Sequence, residues 1–121
     1  MTVGVLLVAL SISVCLTVGQ LLFKKAALSL GDVSSWSAMI PKMLSNLWLV
    51  SGMALYLCTT VAWVLLLRTA PISVVYPVTA LSFLFVPVAS HLVFGEAYSW
   101  RLLLCGVLIC SGIALAGYEP R

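Results

Sequence analysis

Six basic and three acidic residues are so placed that four long apolar stretches lie between them. The first runs from Met1 to Phe23. The second runs from Met43 to Leu67, between Lys42 and Arg68. The third, Thr69 to Gly95, is interrupted only by His91, and the fourth, Leu102 to Tyr118, lies between Arg101 and Glu119. A helix that crosses a bilayer needs about 20 apolar residues, within a range of about 17–25. All four stretches meet that requirement, the last being the shortest. Backbone groups in hydrocarbon must be hydrogen-bonded internally, so such stretches become helices; barrel strands would alternate over about ten residues. The sequence therefore predicts an all-α membrane protein with four transmembrane helices, at about 3–30, 45–67, 72–94 and 101–118, in one domain covering 1–121. Its composition, 64% hydrophobic and 7% charged, excludes an ordinary soluble domain, where roughly a quarter of residues carry charge.

The start of the chain lacks a basic n-region, and its apolar run is too long for a secretory signal, so it reads as the first span. Cys15, Cys58, Cys105 and Cys110 all lie inside apolar stretches and read as small packing residues, not as a disulfide framework or a metal site. No metal-ligand spacing, phosphate-cradling glycine loop or catalytic triad is present, and no cofactor or enzyme activity is expected. The net charge of +3 comes from cations at span ends, as membrane anchors have, and not from a nucleic-acid-binding patch. Lys24, Lys25, Lys42 and Arg101 share one side of the membrane and Arg68 and Arg121 the other. The positive-inside rule puts the richer side in the cytoplasm; a dual-topology, antiparallel dimer stays open.

Ser13, Thr17 and Gln20 recur at i, i+4 and i+7 in the first stretch, and Lys24 continues the stripe at i+11. Such spacing shares one helix face. The face is polar, carries no acid, and leads to the cation pair Lys24-Lys25. The hydroxyls and the amide fit either a cavity lining or hydrogen bonds between helices. Gln20 favours the lining, since a buried amide has four hydrogen-bonding positions to fill. Lys24 and Lys25 fit a phosphate site or ordinary interfacial anchoring. Gly31 is a natural stop for the first helix. Trp36, Met39, Ile40, Met43 and Leu44 predict either a short interfacial helix or the approach to helix two with Pro41 in its first turn. Gly52, Tyr56, Thr59 and Trp63 share a face of helix two. Pro77 and Pro87 predict a kinked third helix, and Tyr76 beside Pro77 reads as a pocket residue. Glu96 is expected near Arg101 as an ion-pair or capping residue. Gly106, Cys110, Ala114 and Gly117 form a small-residue seam on helix four. Four helices are too few to enclose a pathway for a sizeable solute, so the seam is read as the interface of a dimer, with packing inside the same four-helix bundle as the alternative.

Three further runs carry a resemblance: Ala70-Pro71-Ile72-Ser73-Val74-Val75-Tyr76, Phe94-Gly95-Glu96, and Leu108-Ile109-Cys110-Ser111-Gly112-Ile113. They resemble the small multidrug resistance transporters and their relatives. Gly19-Gln20-Leu21-Leu22-Phe23-Lys24-Lys25-Ala26 and Val75-Tyr76-Pro77 are closer to one branch, the small subunits of the flippase for aminoarabinose linked to undecaprenyl phosphate. Multidrug exporters of this kind use a membrane-embedded Glu three residues before the Gly of a Gly-x-x-Leu segment; here that position is Leu16. The resemblance implies a small multidrug resistance-like fold in the bacterial inner membrane, acting as a homodimer or as a heterodimer with a related small subunit. It implies a substrate with a phosphate head, a sugar and a polyprenyl tail. Ser13, Thr17, Gln20, Lys24, Lys25 and Tyr76 are then the candidate substrate contacts. A proton-coupled exporter of small cationic solutes is the alternative, against which Leu16 stands. A third reading is an accessory membrane subunit that transports nothing itself.

Overall fold

The computed structural model describes residues 3–32 and 34–117. It contains α1 (Val3–Leu30), α2 (Trp36–Ser45), α3 (Leu47–Leu67), α4 (Ile72–Thr79), α5 (Ser82–Phe94) and α6 (Trp100–Gly117). Among the described residues, three helical segments are long and apolar enough to cross a membrane: Val3–Leu30, Leu47–Leu67 and Ile72–Phe94. Trp100–Ala116 is a shorter apolar helix; the expected helix end at residue 118 lies outside the described residues. The chain is an all-α, multi-pass membrane protein.

At 28 residues, α1 is about 42 Å long at 1.5 Å per residue, against a hydrocarbon core of about 30 Å. A span starting near Val3 thus leaves the hydrocarbon close to Leu22, and Lys24 and Lys25 fall at headgroup depth. Gly31, with φ +62°, then ends the helix. The connection that follows contains a separate helix, α2, with Pro41 inside it, so the interfacial-helix alternative is the one the chain adopts. Asn46 separates α2 from α3. Its Oδ1 accepts from the backbone N–H groups of Trp48 and Leu49 at 3.0 and 3.3 Å, an N-cap. Its Nδ2 donates to Ser29 Oγ at 2.8 Å and to the Ala26 carbonyl at 3.3 Å. One side chain therefore starts α3 and ties it to the last turns of α1.

The first helix is the centre of the fold. It packs on α3, α4 and α5, while α6 rests on α4 and α5. Lipid is as apolar as leucine, so helices in a bilayer associate through close packing and interhelical hydrogen bonds. Gly19 faces the ring of Tyr56, and a Cβ there would overlap it; at Gly52 a Cβ would lie 2.8 Å from Phe23 Cε1. Each helix thus gives a glycine to an aromatic of the other, and the Phe23 and Tyr56 rings meet at 5.0 Å between centroids. The face Gly52–Trp63 that the spacing defines is the face turned to α1. A second cluster, Ala9, Ile12, Leu66, Val75 and Val78, fills the opposite end of the α1–α3–α4 contact.

The third span is interrupted between Thr79 and Ser82, just after Pro77. Between α4 and α5 the backbone tightens into i→i+3 bonds, Ala80 N–H to Pro77 O at 3.1 Å and Leu81 N–H to Val78 O at 3.1 Å. Ser13 Oγ sits 3.1 Å from both the Val78 and the Ala9 carbonyl oxygens and shares its single proton between them. A hydroxyl of α1 therefore supports a carbonyl at the break.

The candidate site: two grooves flanking the first helix

The separation of α3 from α4 leaves a groove of about 280 Å³ over α1. Ile12 and Leu16 form its floor; Tyr56, Thr59, Thr60 and Trp63 form the α3 wall, and Tyr76 and Thr79 the α4 wall. The Trp63 and Tyr76 rings meet edge to face, 6.4 Å apart at 65°, an arrangement that aromatic quadrupoles favour. Thr59, Thr60 and Thr79 donate their hydroxyl protons to the carbonyls of Leu55, Tyr56 and Tyr76 at 2.7, 2.8 and 2.7 Å. Their oxygen lone pairs are left as acceptors. Tyr56 Oη accepts from Gln20 Nε2 at 2.7 Å and keeps its own proton to donate. The groove thus offers aromatic faces, several acceptors and a donor, and none of its lining residues is Asp, Glu, Lys, Arg or His.

A second groove, of about 480 Å³, lies where α6 stands away from α1. Val14, Val18 and Leu21 of α1 line it on one side and Leu84 and Val88 of α5 on another, together with Tyr98. Thr17 also lines it, its hydroxyl donating to the Ser13 carbonyl at 2.9 Å, and the surface the groove presents is apolar.

The two grooves flank α1, lined there by Ile12 and Leu16 and by Val14, Thr17, Val18 and Leu21. Lys24 follows Gln20 by four residues and Leu21 by three, so helical spacing puts it above both. Lys24 Nζ pairs with Glu96 Oε1 at 3.1 Å, the two side chains being 47% and 44% exposed. The Lys24 hydrogen bond holds the Glu96 carboxyl below its usual range. A depressed value means the pair is intact at neutral pH and is lost only as pH falls through that lowered value. Glu96 follows Gly95, which ends α5 in the left-handed region at φ +68°. His91 Nδ1 lies 2.6 Å from the Glu96 carbonyl and carries the proton there, since a carbonyl only accepts. Lys25 Nζ sits 4.0 Å above the Trp48 ring, a cation–π contact.

The candidate residues therefore part company. Tyr76 lines the hydroxyl groove, Gln20 meets it through the Tyr56 hydroxyl, and Lys24 lies one turn further along α1. Lys25 is at the same level, held by Trp48. Ser13 is fully buried and is not a cavity lining: its proton serves Ala9 and Val78. Thr17, 7% exposed, likewise serves the helix backbone. Glu96 pairs with Lys24 and not with Arg101. In the expected dimer seam, Gly106 is buried, and a Cβ there would meet Leu84 Cδ1 at 2.5 Å; this close approach is to α5 of the same chain. Cys110 is half-buried and Ala114 exposed, while the surroundings of Gly117 lie outside the described residues. Thr60, Thr79 and Asn46 escaped the sequence reading. An Asn immediately before an apolar run is an N-cap signal that could have found Asn46; the two threonines carry no such signal.

A bundle of membrane-spanning helices with a hydroxyl groove, an apolar groove and a lysine further along the helix they flank has the form of a small integral-membrane transport subunit. No family model and no solved structure matches the chain. Curated relatives do. The chain is 32% identical over 99 residues to a protein of Enterobacter sp. (strain 638) named as a probable 4-amino-4-deoxy-L-arabinose-phosphoundecaprenol flippase subunit, ArnE, covering 82% of this chain and 83% of that one. It is 34% identical over 120 residues to the probable ArnF subunit of Erwinia tasmaniensis, covering 91% of each. With the probable ArnE of Aeromonas hydrophila it shares 30% over 115 residues, 91% of this chain and 96% of the relative. The chain belongs to this family of small flippase subunits. Its relatives are named as flippase subunits and not as enzymes.

Proposed function

We propose that the chain is one subunit of a flippase that moves a polyprenyl-phosphate-linked sugar, of the undecaprenyl-phosphate-aminoarabinose type, across the bacterial inner membrane by alternating access. One observation carries this reading: a groove at membrane depth lined by hydroxyls and aromatic rings, with no acid or base in its lining, and Lys24 two turns beyond its floor residue Leu16 on the same helix. A sugar presents hydroxyls to the threonine oxygens and the Tyr56 hydroxyl, and C–H faces to Trp63 and Tyr76. The phosphate meets Lys24, a compact cation suited to it, with Lys25 and Gln20 within a turn. Leu16 on the groove floor leaves the site without the acid that a proton-coupled exporter of cations requires. Since one chain leaves its grooves open, a second copy or a related small subunit completes the pathway.

Replacing Lys24 and Lys25 together by Ala tests the assignment. Translocation of a fluorescent short-chain polyprenyl-phosphate sugar in proteoliposomes, with the partner subunit present if one is needed, is expected to fall by roughly ten- to a hundredfold, the equivalent of one lost charge-assisted contact. Unchanged translocation would remove the phosphate role from these lysines.

A further inference from the structure

The apolar groove between α1, α5 and α6 has no part in binding a sugar, yet Leu21 in its lining lies one helical turn from the same lysine. Val14, Val18 and Leu21 recur at i, i+4 and i+7 along α1, and Lys24 continues that helix one turn beyond Leu21. The loop at 95–99 supplies both Glu96, which pairs with Lys24, and Tyr98, which lines the groove. Tyr98 in turn contacts His91 of α5, with rings 5.9 Å apart. One short segment therefore occupies the cation and borders the apolar cleft. An anion at Lys24 with a hydrocarbon chain running down the cleft would match both features at once.

We infer that this groove seats the beginning of the substrate's isoprenoid tail, and that Glu96 is the placeholder anion on Lys24 which the substrate's phosphate displaces. The inference rests on the function proposed above and adds to it a tail site and a competing group. An exposed ion pair is weak, because solvent screens it and both side chains lose freedom in forming it. A phosphate can carry more charge than a carboxylate and has more acceptor oxygens. Exchange at Lys24 is therefore favourable for a phosphate held by its own tail, while an unanchored anion lacks that help. Glu96 then raises the threshold for occupation and selects amphiphiles that fill the cleft.

The probes are farnesyl phosphate and the uncharged farnesol, bound to the purified full chain in nonionic detergent and counted by native mass spectrometry. Glu96→Gln frees Lys24 and is expected to tighten farnesyl phosphate by up to about fivefold, the range for releasing an exposed pair, with farnesol unchanged. Val88 and Leu92 are 39% and 77% exposed, so Val88→Trp and Leu92→Trp fill the cleft from outside without overpacking the bundle. Each is expected to weaken both ligands. Equal binding of farnesyl phosphate by wild type and Glu96→Gln overturns the placeholder role. Tryptophan variants that leave both ligands unaffected but alter the oligomeric state assign the cleft to a second copy and overturn the tail site. Lys24→Ala separates the two levels: if it leaves farnesyl phosphate binding intact, the phosphate role of Lys24 fails, whatever Glu96→Gln does.

Discussion

Leu16→Glu is expected to lower lipid translocation by roughly tenfold or more, since a carboxylate at membrane depth costs on the order of 3 kcal/mol and repels the phosphate it must let pass. Leu16 is half-buried on the floor of the hydroxyl groove, where no other acid is present. Leucine and glutamate are close in size, so the substitution changes the charge of the floor more than its shape. Leu16→Gln is the matched control. It has the same length and adds hydrogen-bonding capacity without charge, so it should retain most of the activity. Translocation rates of the three proteins, normalised to the amount reconstituted, decide the point. If Gln is as damaging as Glu, packing on the groove floor and not charge is what matters, and the contrast with cation exporters loses its physical basis.

Gly19→Val is expected to destabilise the bundle by about 1–3 kcal/mol, the usual cost of overpacking. Two terms oppose each other here. Replacing a glycine in a helix interior by valine gains roughly a few tenths of a kcal/mol of backbone propensity. Against that, the new Cβ would occupy the position of the Tyr56 ring. Tyr56 would have to leave its contacts with Phe23 and Gln20, which hold α1 and α3 together. The steric term wins because the new Cβ falls on the ring itself, so the ring must move and give up both contacts. Gly4 supplies the comparison: nothing lies within 4 Å of a Cβ there. Thermal unfolding in detergent should therefore show a clear loss for Gly19→Val and little change for Gly4→Val. Equal midpoints for the two would show that the glycine–aromatic contact does not hold α1 to α3.

Much of the fold was legible because charges and glycines mark span ends through local physics. The charged positions delimit the helices, Gly31 ends α1, and the face carrying Gly52, Tyr56, Thr59 and Trp63 is set by helical period alone. What the period does not encode is which neighbour a face meets. Ser13 and Thr17 share a face with Gln20, yet the first two are buried and the third is exposed. A polar stripe thus passes from a packed seam to an open mouth within two turns. The break in the third span follows Pro77, which is visible in the sequence; that Ser13, distant along the chain, meets the Val78 carbonyl there is not. Glu96 finds Lys24 across the bundle although Arg101 is nearer along the chain, because Gly95 turns the backbone at the end of α5. The small-residue seam is similar. Gly106 permits a close approach, and Leu84 of the same chain takes it.

The candidate site was legible in its negative feature more than in its lining. Leu16 stands out because one position decides whether the groove holds an acid. The hydroxyl acceptors of Thr60 and Thr79 emerge only when α3 and α4 face each other across α1.

The most direct test of the central claim is the identity of the lipid that the protein holds. Mass spectrometry of lipids co-purified from bacterial membranes, with and without the partner subunit, should reveal a polyprenyl phosphate bearing a sugar, enriched over its share of the membrane. Recovery of bulk phospholipids alone, in membrane proportions, would contradict the assignment of this chain to a lipid-linked sugar.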